Sequence, residues 1–217
     1  MDLNSFIDHT LLKADATSGD IKKLCEEAIN HNFYAVCVNS CNTVIAKGYL
    51  KDSPVKLAVT IGFPLGAVSK TAKIEESRQA VLDGADELDM VINIAYLKDG
   101  KEAEVEDEIA SIKKEAANKI VKVIIETCYL TEEEIRIACK LALNAGADFV
   151  KTSTGFGSRG ASLEDVRIMK EVVGDKMKIK ASGGIRDAKT AREYIDLGVD
   201  RIGTSSGIKI ITQNSEI

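Results

Sequence analysis

The residue whose type and place most suggest chemistry is a lysine inside an apolar run. Phe149-Val150-Lys151-Thr152-Ser153-Thr154-Gly155-Phe156-Gly157 breaks at that lysine and then passes through hydroxyls into glycines. An edge strand could carry a solvated lysine in the same way. Against that, Gly146-Ala147-Asp148 reads as a helix stop and turn just upstream, and Leu163 to Val173 reads as a helix just downstream. A strand between two helices is usually a covered parallel strand, so its lysine should point into a barrel or a crevice. A lysine buried beside a second ammonium is pushed toward its neutral, nucleophilic form by both desolvation and like charge. Such an amine condenses with a carbonyl. The protonated imine then acts as an electron sink, so that a neighbouring C–C bond or α-proton can be released as an enamine.

Other charged residues sit in the same kind of place. Asp89, Lys122 and Lys180 lie inside apolar strands, and period-two alternation puts Asp89 with Val91 and Asn93 on one face, leaving Leu88, Met90 and Ile92 for the helices. Lys151 shares its face with Phe149 and Ser153, and Lys180 opposes Ile179 and Ala181. Gly183-Gly184 and Ser205-Ser206 follow the seventh and eighth strands, where free N–H groups and hydroxyls suit an anion. A competing motif overlaps the first run: Gly155-Phe156-Gly157-Ser158-Arg159-Gly160 fits G-x-G-x-x-G between a strand and a helix. A dinucleotide fold, however, expects an apolar strand running into the first glycine and an acid closing the next strand. Here the strand ends in hydroxyls, and Lys178 to Ser182 closes without an acid.

The elements that must position these residues follow from periodicity. Strands are expected near Phe6 to Thr10, Tyr34 to Asn39, Lys56 to Phe63, Leu88 to Ile94, Lys122 to Thr127, Phe149 to Thr154, Lys178 to Ser182 and Arg201 to Ser205. Helices are expected near Ser18 to Asn30, Cys41 to Tyr49, Ala72 to Leu82, Glu102 to Ala117, Glu132 to Asn144, Leu163 to Val173 and Ala188 to Leu197. Thr17 with Asp20, Thr131 with Glu134 and Ser162 with Asp165 read as helix caps. Gly84-Ala85-Asp86, Gly146-Ala147-Asp148 and Gly198-Val199-Asp200 repeat one helix-to-strand joint. Strand and helix alternate throughout, which fits an α/β fold, a (β/α)8 TIM barrel, slightly below its typical length of about 250 residues. A doubly wound open sheet is the alternative. Charges inside the strands favour closure, because a barrel interior can pair charges that helix-covered faces would leave costly.

Composition sets the outer bounds. With 217 residues, 45% of them apolar, and no linker-like stretch, one domain spanning 1–217 is expected. A net charge of −5 argues against nucleic acid, and no run reaches the apolar length of a membrane span. The start Met1-Asp2-Leu3-Asn4-Ser5 is unlike a signal peptide, so a cytoplasmic location is expected. Five cysteines without a C-x-x-C pair, and two histidines, support neither a disulfide framework nor a zinc site. Of the cysteines, only Cys37, near the end of an apolar strand, stands out.

Five stretches in order resemble the 2-deoxyribose-5-phosphate aldolase family: Asp8-His9-Thr10-Leu11-Leu12-Lys13, Glu87-Leu88-Asp89-Met90-Val91-Ile92-Asn93, Lys122-Val123-Ile124-Ile125-Glu126-Thr127, Lys151-Thr152-Ser153-Thr154-Gly155-Phe156, and Lys180-Ala181-Ser182-Gly183-Gly184-Ile185. The resemblance covers essentially the whole chain. It implies a class I aldolase on a (β/α)8 barrel that cleaves 2-deoxy-D-ribose 5-phosphate to D-glyceraldehyde 3-phosphate and acetaldehyde, with no metal or organic cofactor. By the same resemblance Lys151 forms the Schiff base, Lys180 tunes it and Asp89 shuttles protons. Gly155, Gly183, Gly184, Ser205 and Ser206 hold the phosphate, Lys122 is a supporting charge, and Cys37 is a pocket cysteine open to aldehyde inactivation. A homo-oligomer is compatible with this. Two departures stand out: Ala14 follows Lys13 where the family often has proline, and the tail from Gly207 to Ile217 has no tyrosine. The alternatives are an NAD(P)-dependent oxidoreductase built on residues 155–160, and a non-catalytic barrel that binds phosphosugars. Borohydride trapping with acetaldehyde separates all three.

Overall fold

The computed structural model describes residues 2–214 and shows one closed barrel of eight parallel strands in sequence order. They are β1 (Ile7–Leu11), β2 (Ala35–Asn39), β3 (Lys56–Ile61), β4 (Glu87–Val91), β5 (Ile120–Ile124), β6 (Phe149–Lys151), β7 (Lys178–Ser182) and β8 (Arg201–Thr204). Around them run α1 (Ser18–Asn30), α2 (Thr43–Tyr49), α3 (Lys70–Leu82), α4 (Ile94–Lys98), α5 (Glu102–Glu115), α6 (Glu132–Asn144), α7 (Leu163–Val173), α8 (Ala188–Asp196) and α9 (Gly207–Asn214). β1 pairs with both β2 and β8, so the barrel closes and leaves no sheet edge.

The main apolar core lies between barrel and helices. Leu88, Met90 and Ile92 belong to it, as alternation requires, while Asp89 points the other way into the barrel. β2 and β7 end where expected and β1 runs one residue further, to Leu11, whereas β3, β4, β5, β6 and β8 end before their expected carboxyl ends. β6 stops at Lys151, because Thr152 and the residues after it bond out of register: Thr152 Oγ1 accepts from Ser182 N–H at 3.1 Å, and Thr127 N–H donates to Thr152 O at 2.9 Å. Asn93, expected at a strand end, instead caps α4 by accepting from Tyr96 N–H. That helix has five residues, too few for a period to announce.

The three repeated joints do more than stop helices. Gly84, Gly146 and Gly198 all have positive φ (103°, 77° and 89°), which glycine adopts without a Cβ penalty. The aspartate two residues later then grips the preceding strand. Asp86, Asp148 and Asp200 accept through Oδ2 from the N–H of Leu57, Val121 and Ile179 at 3.0, 2.8 and 3.0 Å. Each also donates its own N–H to the carbonyl of that same residue. Strands 3–4, 5–6 and 7–8 are thereby locked in register at their amino ends. This register sets which side chains share a layer inside.

Two capping boxes form as read, at Thr17 with Asp20 and Thr131 with Glu134. The third does not. Ser162 accepts from Asp165 N–H, but the Asp165 carboxylate turns to Thr127 Oγ1 at 2.8 Å and to Arg159, tying α7 to the loops at the barrel mouth.

Candidate active site

Inward alternation and the locked register bring the charged strand residues together. Asp89 lies beside Lys122 across the β4–β5 pair, and Lys151 beside Lys180 across β6–β7. Asp89 Oδ2 accepts from Lys151 Nζ at 2.8 Å and from Lys180 Nζ at 2.9 Å, while its Oδ1 accepts from Lys122 Nζ at 2.7 Å. A second carboxylate, Asp8, accepts from Lys180 and from Arg201 Nη1 at 2.9 Å, with Lys122 at 3.5 Å. Glu87 contacts Lys122 and lies 3.5 Å from Arg201 Nη2. All seven side chains are buried.

Among the described residues, sequence reasoning brought together Asp89, Lys122, Lys151 and Lys180, and missed Asp8, Glu87 and Arg201. Period two did carry a signal for Glu87, which is two residues before Asp89 and must share its face. Asp8 opens a run of three consecutive polar residues, Asp8-His9-Thr10, which marks neither face of its strand as the inward one, and Arg201 at a strand start reads as a turn residue.

Burial penalises every charge here, and the partners decide the outcome. For Asp89 the cost of burial is outweighed by Lys122, Lys151 and Lys180, which hold its carboxyl well below the ordinary range. Asp8 is likewise held low, against burial, by Lys180, Lys122 and Arg201. Burial would lower Lys180, but Asp8 and Asp89 raise it above the usual lysine value. Lys122 stands well above that value, because Asp89, Glu87 and Asp8 overcome its desolvation. Lys180 and Lys122 are therefore fixed ammonium groups. Lys151 makes a single ion pair among the described residues and, unlike those two, lines the cavity at the barrel mouth.

That cavity has a volume of about 230 Å³. Gly155, Gly183, Gly184 and Ser205 line it with Lys151, so four of the five expected anion-binding positions converge. Ser206 does not. It lines the adjoining groove between α1 and α9, and its N–H donates to Thr204 Oγ1 at 2.9 Å. Two cations that sequence reasoning passed over, Lys13 and Arg186, also line the cavity. Arg186 stands two residues beyond Gly184, which is the signal that could have found it.

Cys37 is fully buried, against Leu12, Ala58 and Phe63, with Sγ 3.9 Å from Asp89 Oδ2. Burial, with Asp89 adding to it, pushes its thiol up, away from the reactive thiolate. The G-x-G-x-x-G stretch spans the loop from β6 to α7 and does not open the helix. Gly160 packs its Cα against the Gly183 backbone, and α7 starts later, at Leu163 behind its Ser162 cap.

A pocket of this size, entered by one lysine of the buried cluster and floored by fixed charges, suits carbonyl chemistry on a small anionic substrate better than a dinucleotide. The relatives agree. The model of the DeoC/LacD family of aldolases matches residues 4–212. The deoxyribose-phosphate aldolase of Thermococcus gammatolerans is 58% identical over 215 residues, spanning 97% of this chain and 96% of that one. Among solved structures, an aldolase designated QR15 superposes with a TM-score of 0.96 at 42% identity, covering 100% of this chain and 97% of that one. The deoxyribose phosphate aldolase from Aeropyrum pernix, described as having a unique tetrameric structure, gives 0.92 at 33% identity, over 98% of this chain and 91% of that one. None of these supports the nicotinamide reading. The lysine-centred barrel is thus that of a carbon–carbon lyase, and the chain belongs to the DeoC/LacD aldolases, among the deoxyribose-phosphate aldolases.

Proposed function

We propose that this enzyme cleaves 2-deoxy-D-ribose 5-phosphate reversibly to D-glyceraldehyde 3-phosphate and acetaldehyde through an imine on Lys151. The observation that carries the assignment is the charge count of the buried cluster. Four cations (Lys122, Lys151, Lys180 and Arg201) face three carboxylates (Asp8, Glu87 and Asp89). A neutral Lys151 leaves the cluster balanced and strands no carboxylate, which a dry interior would penalise heavily. The amine that the chemistry requires is the one that also reaches the cavity.

In this reading Lys151 Nζ attacks C1 of the open-chain aldehyde, and loss of water gives the protonated imine. The C3 hydroxyl gives up its proton, the C2–C3 bond breaks and its electron pair moves into the imine as an enamine. D-Glyceraldehyde 3-phosphate leaves. Protonation at C2 and hydrolysis then release acetaldehyde and restore Lys151. Asp89, held ionised by the ammonium groups of Lys122 and Lys180, orients Lys151 and Lys180 and relays protons through water. Gly155, Gly183, Gly184 and Ser205 hold the phosphate in the cavity, with Lys13 and Arg186 supplying positive charge and Ser206 lying just outside. The tetrameric relative from Aeropyrum pernix supports a homo-oligomer.

Borohydride reduction in the presence of acetaldehyde tests the assignment. Wild type should gain one N-ethyl group on Lys151, and Lys151→Ala should lose both the adduct and aldol cleavage while staying folded. Arginine at this position should not rescue, since a guanidinium stays protonated. An undiminished adduct in Lys151→Ala would overturn it.

A further inference from the structure

Glu126 is buried at the barrel mouth, between β5 and α6, with a left-handed backbone at φ 51°. A non-glycine residue there stores strain that the surroundings must sustain, and such strain gathers at functional sites. Its carboxylate bonds Thr154 twice over: both oxygens accept from Thr154 N–H at 3.2 Å, and Oε2 also accepts from Thr154 Oγ1–H. Thr154 Oγ1 in turn accepts from Phe156 N–H at 3.0 Å. The N–H groups on both sides of Gly155 are therefore taken, while that of Gly155, in a residue with φ 87° that lines the cavity, has no protein partner among the described residues. The rest of the loop is packed to match. A Cβ at Gly157 would come within 2.5 Å of Cys128 Sγ and 3.3 Å of Glu126 Cδ, and Arg159 Nη2 donates to Thr127 O at 3.3 Å. On the far side Gly160 lies on the Gly183 backbone, and a Cβ at Gly183 would lie 3.6 Å from Gly155 Cα.

We propose that Glu126 is a positioning residue for phosphate recognition: by taking up Thr154, and through it Phe156, it leaves the Gly155 N–H as the free donor that the loop presents to the substrate phosphate. The proposal rests on the reading of the function given above. Glu126 touches neither the phosphate nor the reacting carbon. Its removal should act on the phosphorylated end of the substrate and not on imine formation.

The test compares 2-deoxyribose 5-phosphate with unphosphorylated 2-deoxyribose in Glu126→Gln and Thr154→Val, alongside Thr154→Ser. KM for the phosphorylated sugar should rise about tenfold or more in the first two, the scale of losing a charge-assisted hydrogen bond. The inhibition constant of inorganic phosphate should rise in parallel. KM and kcat for the unphosphorylated sugar, and borohydride trapping with acetaldehyde, should change by less than about threefold, well under the tenfold that 1.4 kcal/mol represents. Thr154→Ser, which keeps the hydroxyl, should lie nearer to wild type than Thr154→Val. If Glu126→Gln does not fold, the Thr154 pair makes the same comparison from the other end of the hydrogen bond. Equal losses on both sugars, or no change in either, overturn the proposal while wild type still traps acetaldehyde. A wild type that traps nothing overturns the function reading first, and this inference with it.

Discussion

Gly203 in β8 offers the sharpest test of how tightly the buried cluster is held. It is a glycine in mid-strand, facing inward, and its φ is not in the left-handed region, so space alone explains it. A Cβ added there would lie 2.9 Å from Ser182 Cβ and 3.0 Å from Lys180 Cε. Both separations are well inside the ~3.5 to 4.0 Å optimum for carbon pairs. Ser182 cannot retreat cheaply, because its hydroxyl donates to Ser153 O and its N–H to Thr152 Oγ1. Lys180 is pinned at its far end by Asp8 and Asp89.

Gly203→Ala should therefore cost stability through overpacking, about 1–3 kcal/mol. Replacing glycine also restricts the unfolded chain, worth about 0.4–1 kcal/mol in the opposite direction. Crowding wins, leaving a net loss of about 1–2 kcal/mol, or a fall in Tm of about 2–8 °C for a chain of this size. Activity should suffer more than stability. Displacing the Lys180 ammonium by even about 1 Å from Asp89 can cost on the order of 100-fold in kcat. The assay is aldol cleavage of 2-deoxyribose 5-phosphate alongside thermal unfolding. Adding Ser182→Gly, which removes one of the two clashes, should leave most of the kcat loss in place, since the Lys180 contact remains. Wild-type kcat and Tm in Gly203→Ala would refute the claim that this glycine is the space Lys180 occupies.

Two further outcomes follow from the same cluster. Lys180→Leu leaves three carboxylates facing Lys122, Arg201 and Lys151, a set that is neutral only with Lys151 protonated, so the acid limb of the pH–rate profile should move to higher pH and kcat should fall about 100-fold. A uniform loss with an unmoved limb would show that Lys180 acts in proton transfer or packing alone. Asp8→Asn should destabilise the protein at neutral pH by about 3–5 kcal/mol, as expected when one member of a buried ion pair is removed. The Asp8 carboxyl is lower folded than its ordinary 3.8, so its contribution is fully present above that pH and is lost as the pH falls below it. The Tm gap between wild type and variant should narrow in acid, and a gap independent of pH would contradict this.

Much of this arrangement was legible in the sequence because two periodicities carry it. Period two placed Lys151 and Lys180 on inward faces of consecutive strands, and the Gly-x-Asp joints announced the repeating units. What stayed hidden has physical causes. Asp86, Asp148 and Asp200 look like ordinary turn residues until the strand they grip is known. Glu126 sits within an apolar run whose pattern suggests continued strand, and only its backbone angles show that the ladder breaks there. Ser205 and Ser206 are alike in type and both line the neighbouring groove, yet only Ser205 also lines the cavity, a distinction set by the turn into α9. The glycine pattern at 155–160 misleads for a related reason. Glycine marks close backbone approach, and here the approach is to Gly183 and Cys128, not to a pyrophosphate.

The cluster also explains why the site and the barrel stand or fall together. Asp8 lies near the start of the chain and Arg201 near its end, yet they share a 2.9 Å ion pair, and Lys180 bridges Asp8 to Asp89 across the interior. Arg201 is further fixed from below, with its guanidinium 3.0 Å from the Tyr34 ring centroid. None of these pairs is local in sequence. The Asp8–Arg201 pair spans the β1–β8 seam, and Lys180 reaches Asp8 and Asp89 from β7, so these contacts form only in the closed barrel. Desolvating the charges makes a poor source of net stability, since buried ion pairs roughly break even or cost relative to apolar packing. The apolar layer between barrel and helices must therefore drive closure, and the charges ride on it. What they gain is a fixed geometry: Asp8 and Asp89 held ionised, Lys122 and Lys180 held protonated, and one lysine left at the mouth with a single partner. With four cations facing three carboxylates, Lys151 is the cation of the cluster that makes one ion pair and lines the cavity.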